Sequence, residues 1–394
     1  MALDQRFEVV PGLTETISLK WRKHGPEVLP LWVADMDFPV APPIAAALES
    51  YVSKGFYGYP LHSYYRDLAK AYCGWAKRHY GSEVDSDLVC SLTEVVQGMH
   101  ALVHVFTEPH DGVLLFTPIY PPFLGVLKEQ QRRMVEYRMA VADGRWSLDL
   151  EALRVLVERE RPKMFLLCHP HNPLGRVFSA DELAGILAIC EEFDVLVVSD
   201  EIHADLVFNP YAHMPFARVP GAAERTITIT AASKSFNLAG LRCAVMSFGS
   251  ATLKEHFDRV FSSHILGVPS VAGMLATITA WTEGDEWMTD CLAYLDGNRT
   301  YAYERLLPLG LVSEDRAPII EATYLQWLDF STVVPESEEN VALLLCEQAK
   351  VALNEGPTFG TGLGRNARMN LGTSRSLLTE ALDRIETWIG SDRF

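Results

Sequence analysis

Residues 226–242 read Thr-Ile-Thr-Ile-Thr-Ala-Ala-Ser-Lys-Ser-Phe-Asn-Leu-Ala-Gly-Leu-Arg. The β-branched run Thr226–Thr230 predicts a short strand. Regular structure then stops, and Lys234 falls just past the strand's carboxyl end. A lysine amine in a partly dry cleft has a lowered pKa and becomes a nucleophile; the plainer reading is a solvated loop lysine. Gly240-Leu-Arg242 makes a tight turn into a second apolar run, Cys243–Phe248. The planar fork of Arg242 suits the oxygens of a phosphate.

Outward from this stretch the same pattern repeats. Short apolar runs occur at Leu88–Ser91, Val113–Phe116, Met164–Cys168 and Val195–Ser199, with helical stretches such as 94–107 and 180–193 between them. Runs with little alternation predict strands buried on both faces. Strands alternating with helices predict an α/β fold, a mostly parallel sheet with helices on both faces. Ligands bind such sheets beyond the carboxyl ends of the strands. Helices are also expected at 42–54 and 61–80. After about residue 280 the alternation ends: a long helical stretch (278–307), strands at 324–329 and 367–371, and helices at 337–352 and 375–390 suggest a smaller α+β domain. The chain therefore divides into an N-terminal arm with part of the small domain (1–50), a large domain (51–280) and a small C-terminal domain (281–394).

Composition narrows the function classes. A net charge of −17 over 394 residues argues against a nucleic-acid partner. The longest apolar runs are about six residues, where a membrane span needs about twenty. The N-terminus carries no apolar secretory segment. Seven cysteines without a C-x-x-C pair point to a reducing, cytoplasmic setting.

Four further clusters stand at predicted strand ends. His169-Pro-His-Asn-Pro-Leu-Gly-Arg176 is a loop stiffened by two prolines. Asn172 there either ties its own backbone or presents a fixed polar group to the crevice. In Ser199-Asp-Glu-Ile-His203 two acids end a buried strand, which is costly unless they are paired. Asp200 reads as a structural pair member or as the anchor of a cofactor cation. A metal site of His169, His171, Asp200 and His203 is a weaker alternative, because the spacing matches no metal motif. Arg365-Asn-Ala-Arg-Met-Asn370 sets Arg368 in a short strand, suited to a carboxylate or to a surface ion pair. Tyr120, just past Val113–Phe116, either stacks on a flat ring or packs in the core. Gly360-Thr-Gly-Leu-Gly364 follows no strand of the dinucleotide-binding kind and is no such fingerprint. Taken together, a rigid Asn, a buried Asp, a nucleophilic Lys, a phosphate-ready Arg and a stacking Tyr suit pyridoxal 5′-phosphate (PLP).

Trp32-Val-Ala-Asp-Met-Asp-Phe-Pro39, Tyr57-Gly-Tyr-Pro60, Pro118-Ile-Tyr-Pro-Pro-Phe123 and the motifs above resemble the fold-type I PLP enzymes of the class I/II aminotransferase superfamily, over about residues 8–390. Within it they resemble most the cystathionine β-lyase (carbon–sulfur lyase) branch. The resemblance implies a PLP transferase-like fold in which Lys234 carries the cofactor covalently. It further implies Asp200 on the ring nitrogen, Asn172 and His203 on the phenolic oxygen and Tyr120 on the ring face. The phosphate would rest on Arg242, Ser233 and the helix start at Glu94 and Val95, with Tyr59 reaching the phosphate of a second subunit in a homodimer. Arg368, helped by backbone near Ala34, would take the substrate carboxylate, with Asn172 and Tyr59 nearby. Two positions depart from the family pattern: Glu94 stands in a loop usually rich in glycine and hydroxyl residues, and Ala231 stands where serine is common. Glu94 fits beside a phosphate only if it points away. The activity implied is cleavage of L-cystathionine and other cysteine S-conjugates to a thiol, pyruvate and ammonia. An L-amino-acid aminotransferase, or a regulatory protein-binding module with vestigial lyase activity, are the alternatives.

Overall fold

The computed structural model describes residues 4–8, 12–261 and 263–391. Its strands in chain order are β1 (Leu29–Leu31), β2 (Val89–Leu92), β3 (Gly112–Thr117), β4 (Arg133–Arg138), β5 (Ala140–Ala142), β6 (Arg145–Ser147), β7 (Met164–Cys168), β8 (Leu196–Asp200), β9 (Thr226–Thr230), β10 (Ala244–Phe248), β11 (Leu325–Asp329), β12 (Val351–Glu355) and β13 (Asn366–Asn370). Seven form one sheet in the order β2-β10-β9-β8-β7-β3-β4. Strand β10 runs antiparallel to both neighbours, β2 and β9. The pairs β9–β8, β8–β7, β7–β3 and β3–β4 are parallel. The expected mostly parallel sheet is thus present, with β10 as its reversed strand.

Strand alternation explains why these runs are apolar throughout. In β7, Met164, Leu166 and Cys168 join a core with the helices Val95–Phe106 and Pro121–Glu129, whereas Phe165 and Leu167 join another with Leu150–Glu160 and Ala180–Glu192. Both faces are buried, so polar residues collect at the strand ends, where the helices no longer cover them. A second sheet, β1-β12-β13-β11, pairs the N-terminal strand β1 in parallel with β12 near the other end of the chain. This places the segment 32–38 beside the ends of β8 and β9.

Two expectations need correction, and one strand was not expected. The stretch 278–307 is two helices, Val271–Glu283 and Asp285–Leu306. They break at Gly284, where a side chain would strike the Ala280 carbonyl and the Phe236 ring, and Asp285 and Glu286 then favour a new helix start. The helix expected at 337–352 is only Val341–Gln348, and the residues after it form β12. Strand β4 was not foreseen; as the sheet's edge it is largely exposed and carries charges.

Candidate active site

At the carboxyl ends of β7, β8 and β9 lies a cleft, where open sheets of this kind bind their ligands. It gathers Ala34, Glu94, Val95, Tyr120, Asn172, Asp200, His203, Ser233, Lys234 and Arg242. These are ten of the twelve positions singled out from the sequence. Arg368 stands directly behind Asn172, and Tyr59 stands apart, fully exposed.

Local structure sets each side chain. After β7 the chain reverses through Gly175, whose φ of +62° and contact with Ile320 leave no room for a side chain. Its carbonyl accepts from the N–H groups of Glu321 and Ala322 at 2.8 and 2.9 Å. Arg176 is buried in ion pairs with Glu182 and Glu321, so it staples this loop. Asn172 is thereby held at the cleft, where its Oδ1 accepts from Arg368 Nη1 at 2.9 Å.

The two acids at the end of β8 separate by alternation. Glu201 is fully satisfied below the cleft by Ser199 Oγ, the Phe216 N–H and His213 Nε2. Asp200 faces the cleft, and among the described residues its side chain accepts only from the Ile202 N–H, at 3.1 Å. Burial pushes its carboxyl up to about 7 from 3.8, with the charge of Lys234 acting weakly against the shift: this acid has no ion-pair partner among the described residues. His203, also buried, is pushed down to about 3 by burial, so its ring is neutral. Its Nδ1 is buried without a partner among the described residues.

Lys234 sits one turn beyond β9 with its side chain 18% exposed. The next residue, Ser235, is tied to Asp205, which also accepts from Trp75 Nε1 at 2.8 Å. The Lys234 Nζ donates to the Ala34 carbonyl at 2.6 Å. Burial lowers its pKa, with Asp35 acting against the shift. Arg368 is 1% exposed and has no carboxylate partner among the described residues. It donates to Asn172 and to the Trp32 carbonyl, covers the Phe359 ring, and leaves its Nε without a partner among the described residues. Burial pushes this guanidinium down to about 10.

Arg242 takes a left-handed conformation, φ 54°, and is more than half exposed. Glu94 does not point away from the phosphate region: its carboxylate pairs directly with Arg242. Val95 and Val96 begin a helix whose first N–H groups face the cleft unpaired by helix geometry, a ready anion site. Thr93, Val96, Ile202 and Cys168 line the cleft as well, and sequence reasoning did not single them out. Nor did it assign a role to Asp35, although the motif containing it was recognised. The alternative metal cluster does not assemble. His169 turns to the Met214 carbonyl and His171 to that of Phe116, and among the described residues no three His, Cys, Asp or Glu are placed to hold an ion. No helix among them is long and apolar enough to cross a membrane. None of the seven cysteines is bridged.

A cation-seeking buried acid, an unpartnered imidazole nitrogen, a largely buried lysine and an anion-ready helix start fit PLP as a set. Asp200 would meet the ring nitrogen, Asn172 and His203 the phenolic oxygen, Tyr120 the ring face, and Arg242, Ser233 and the Val95 and Val96 N–H groups the phosphate. Comparison with known proteins supports PLP as the cofactor. The family model described as aminotransferase class I and II matches residues 26–385. A cystathionine beta-lyase of Corynebacterium glutamicum is 34% identical, over 96% of this chain and 99% of its own. Cystalysin from Treponema denticola, whose structure contains PLP, superposes with a TM-score of 0.88 at 31% identity over 98% of each chain. The PLP-bound C-S lyase from Staphylococcus hominis does so with a TM-score of 0.90 at 27% identity, over 98% of this chain and 100% of its own.

Proposed function

We propose that this chain, which belongs to the aminotransferase class I and II family of PLP enzymes and lies near its carbon–sulfur lyase branch, is a β-lyase that cleaves L-cystathionine and related cysteine S-conjugates. The observation that carries the proposal is Arg368. A buried guanidinium with no carboxylate partner among the described residues, beside Asn172 at Lys234's cleft, is a receptor for the α-carboxylate of an amino acid. The lyase reading over transamination rests on the relatives, since both reactions use the same first groups.

When bound, PLP supplies an electron sink for the charge that develops at the substrate's Cα. The protein supplies the rest. Arg368 and Asn172 fix the carboxylate. Lys234, with its amine made less basic by burial, takes the Cα proton and holds it within reach of the departing sulfur. Asp200 keeps a positive charge on the group it faces, because an ionised acid buried there, with one backbone N–H as its hydrogen-bond donor, is stabilised most by a cation. The small, largely apolar cleft limits water around the reacting atoms. A homodimer in a reducing cytoplasm belongs to the same proposal. Tyr59 and the exposed Phe56, Tyr57 and Leu61 around it would then be covered by a second copy.

The test is turnover. The PLP-loaded protein should convert cystathionine to pyruvate and free thiol, and Lys234→Ala should abolish both the reaction and the covalent cofactor adduct that borohydride traps. An adduct that persists in the variant would exclude Lys234 from its role.

A further inference from the structure

The turn Val33–Met36 is fastened from four directions through its backbone. The buried ammonium of Lys20, paired with Asp37 at 2.8 Å, donates to the Asp35 carbonyl at 2.9 Å. Asn370 Nδ2 bridges the Val33 and Asp35 carbonyls at 2.6 and 2.7 Å. Tyr324 Oη donates to the Ala34 carbonyl at 3.0 Å. Asn237, in the loop that carries Lys234, accepts from the Met36 N–H at 3.1 Å and donates to the Met36 and Phe38 carbonyls at 2.9 and 3.0 Å. The fold thus uses the backbone of Asp35, not its carboxylate. That carboxylate is one third exposed and lies 3.6 Å from Lys234 Nζ, on the same side as the Ala34 carbonyl.

We propose that Asp35 is a positioning residue for Lys234, docking the lysine's ammonium against the Val33–Met36 turn whenever that nitrogen is not bonded to the cofactor. The proposal rests on the lyase reading only for its catalytic consequence. A released amine on a flexible four-carbon stem has many rotamers, and two acceptors on one rigid turn select one of them. After Lys234 has taken the substrate's Cα proton, the carboxylate stabilises the ammonium without removing the proton. The other groups facing Nζ are Arg368, which opposes the charge, Asp200, which supports it, and the neutral ring of His203. Of the two acids, Asp35 is the one within ion-pair distance of Nζ among the described residues.

The experiment compares full-length wild type, Asp35→Asn and Asp35→Glu. In the protein stripped of cofactor, the labelling of Lys234 by trinitrobenzenesulfonate is followed against pH and mapped by peptide mass. Asp35→Asn should lower the pH midpoint of labelling by about one unit, and Asp35→Glu should restore most of it. After PLP loading, Asp35→Asn should lower kcat roughly tenfold or more with KM changed less than about twofold. A labelling midpoint that is the same in Asp35→Asn and wild type would overturn the proposal. A shifted midpoint in a protein whose loaded wild type shows no lyase turnover would uphold the docking and reject the reaction assigned above.

Discussion

Asn in place of Asp200 should make the cofactor-free protein more stable at pH 8. The carboxyl is buried and its pKa stands at about 7, against 3.8 for an ordinary aspartate. The sign follows from proton uptake. Between these values the folded protein holds the proton and the unfolded chain has lost it, so stability falls as pH rises from about 4 to about 7 and then levels off. At 1.36 kcal/mol per tenfold change, the loss is about 4 kcal/mol. Asn keeps the shape, still accepts from the Ile202 N–H, and carries no charge to desolvate. With an unfolding entropy of about 2 cal/mol/K per residue, this corresponds to a melting temperature roughly 5 °C higher for Asp200→Asn at pH 8, shrinking towards zero near pH 4. Differential scanning calorimetry of both unloaded proteins at the two pH values measures it. PLP should reverse the order, since only the aspartate gains a cationic partner. An unloaded Asp200→Asn protein no more stable than wild type at pH 8 would refute the burial argument.

Two further outcomes follow from the charges around the cleft. Glu94→Gln removes the carboxylate that pairs with Arg242 and leaves the guanidinium to the phosphate; because the pair is exposed, the gain should be modest, about fivefold tighter PLP binding by equilibrium dialysis, and weaker binding would contradict this role. Arg368→Met should lower kcat/KM for an amino acid substrate by roughly 10²–10³-fold. It should not destabilise the substrate-free protein, because it removes a buried cation that has no carboxylate partner among the described residues; a clear drop in melting temperature would show that Arg368 is structural.

The central strands were legible because both of their faces are covered. Met164–Cys168 and Thr226–Thr230 need no partner information to be recognised. Their polar sequels were legible for the same reason: His169–Arg176, Asp200–His203 and Lys234 begin where the apolar runs end. What escaped depends on contacts between distant segments. Val351–Glu355 is compatible with a helix and becomes a strand only through pairing with β1 and β13. Glu94 alone reads as a misfit beside a phosphate; its partner Arg242 enters from another loop. Asp35 sits in a recognised motif, but its nearness to Lys234 is set by Lys20, Asn237, Tyr324 and Asn370, which no local pattern connects. Arg368 was recognisable as a carboxylate ligand by residue type, while its burial with no carboxylate partner among the described residues, which gives that reading its force, is a property of the fold.

The most direct test is the fate of cystathionine on the PLP-loaded protein. Pyruvate, ammonia and free thiol are quantified together with the form of the cofactor after many turnovers. β-Elimination predicts the three products in equal amounts and a cofactor still bound through Lys234 as at the start. Accumulation of pyridoxamine phosphate with a sulfur-containing keto acid, and no free thiol, would contradict the account and identify a transaminase.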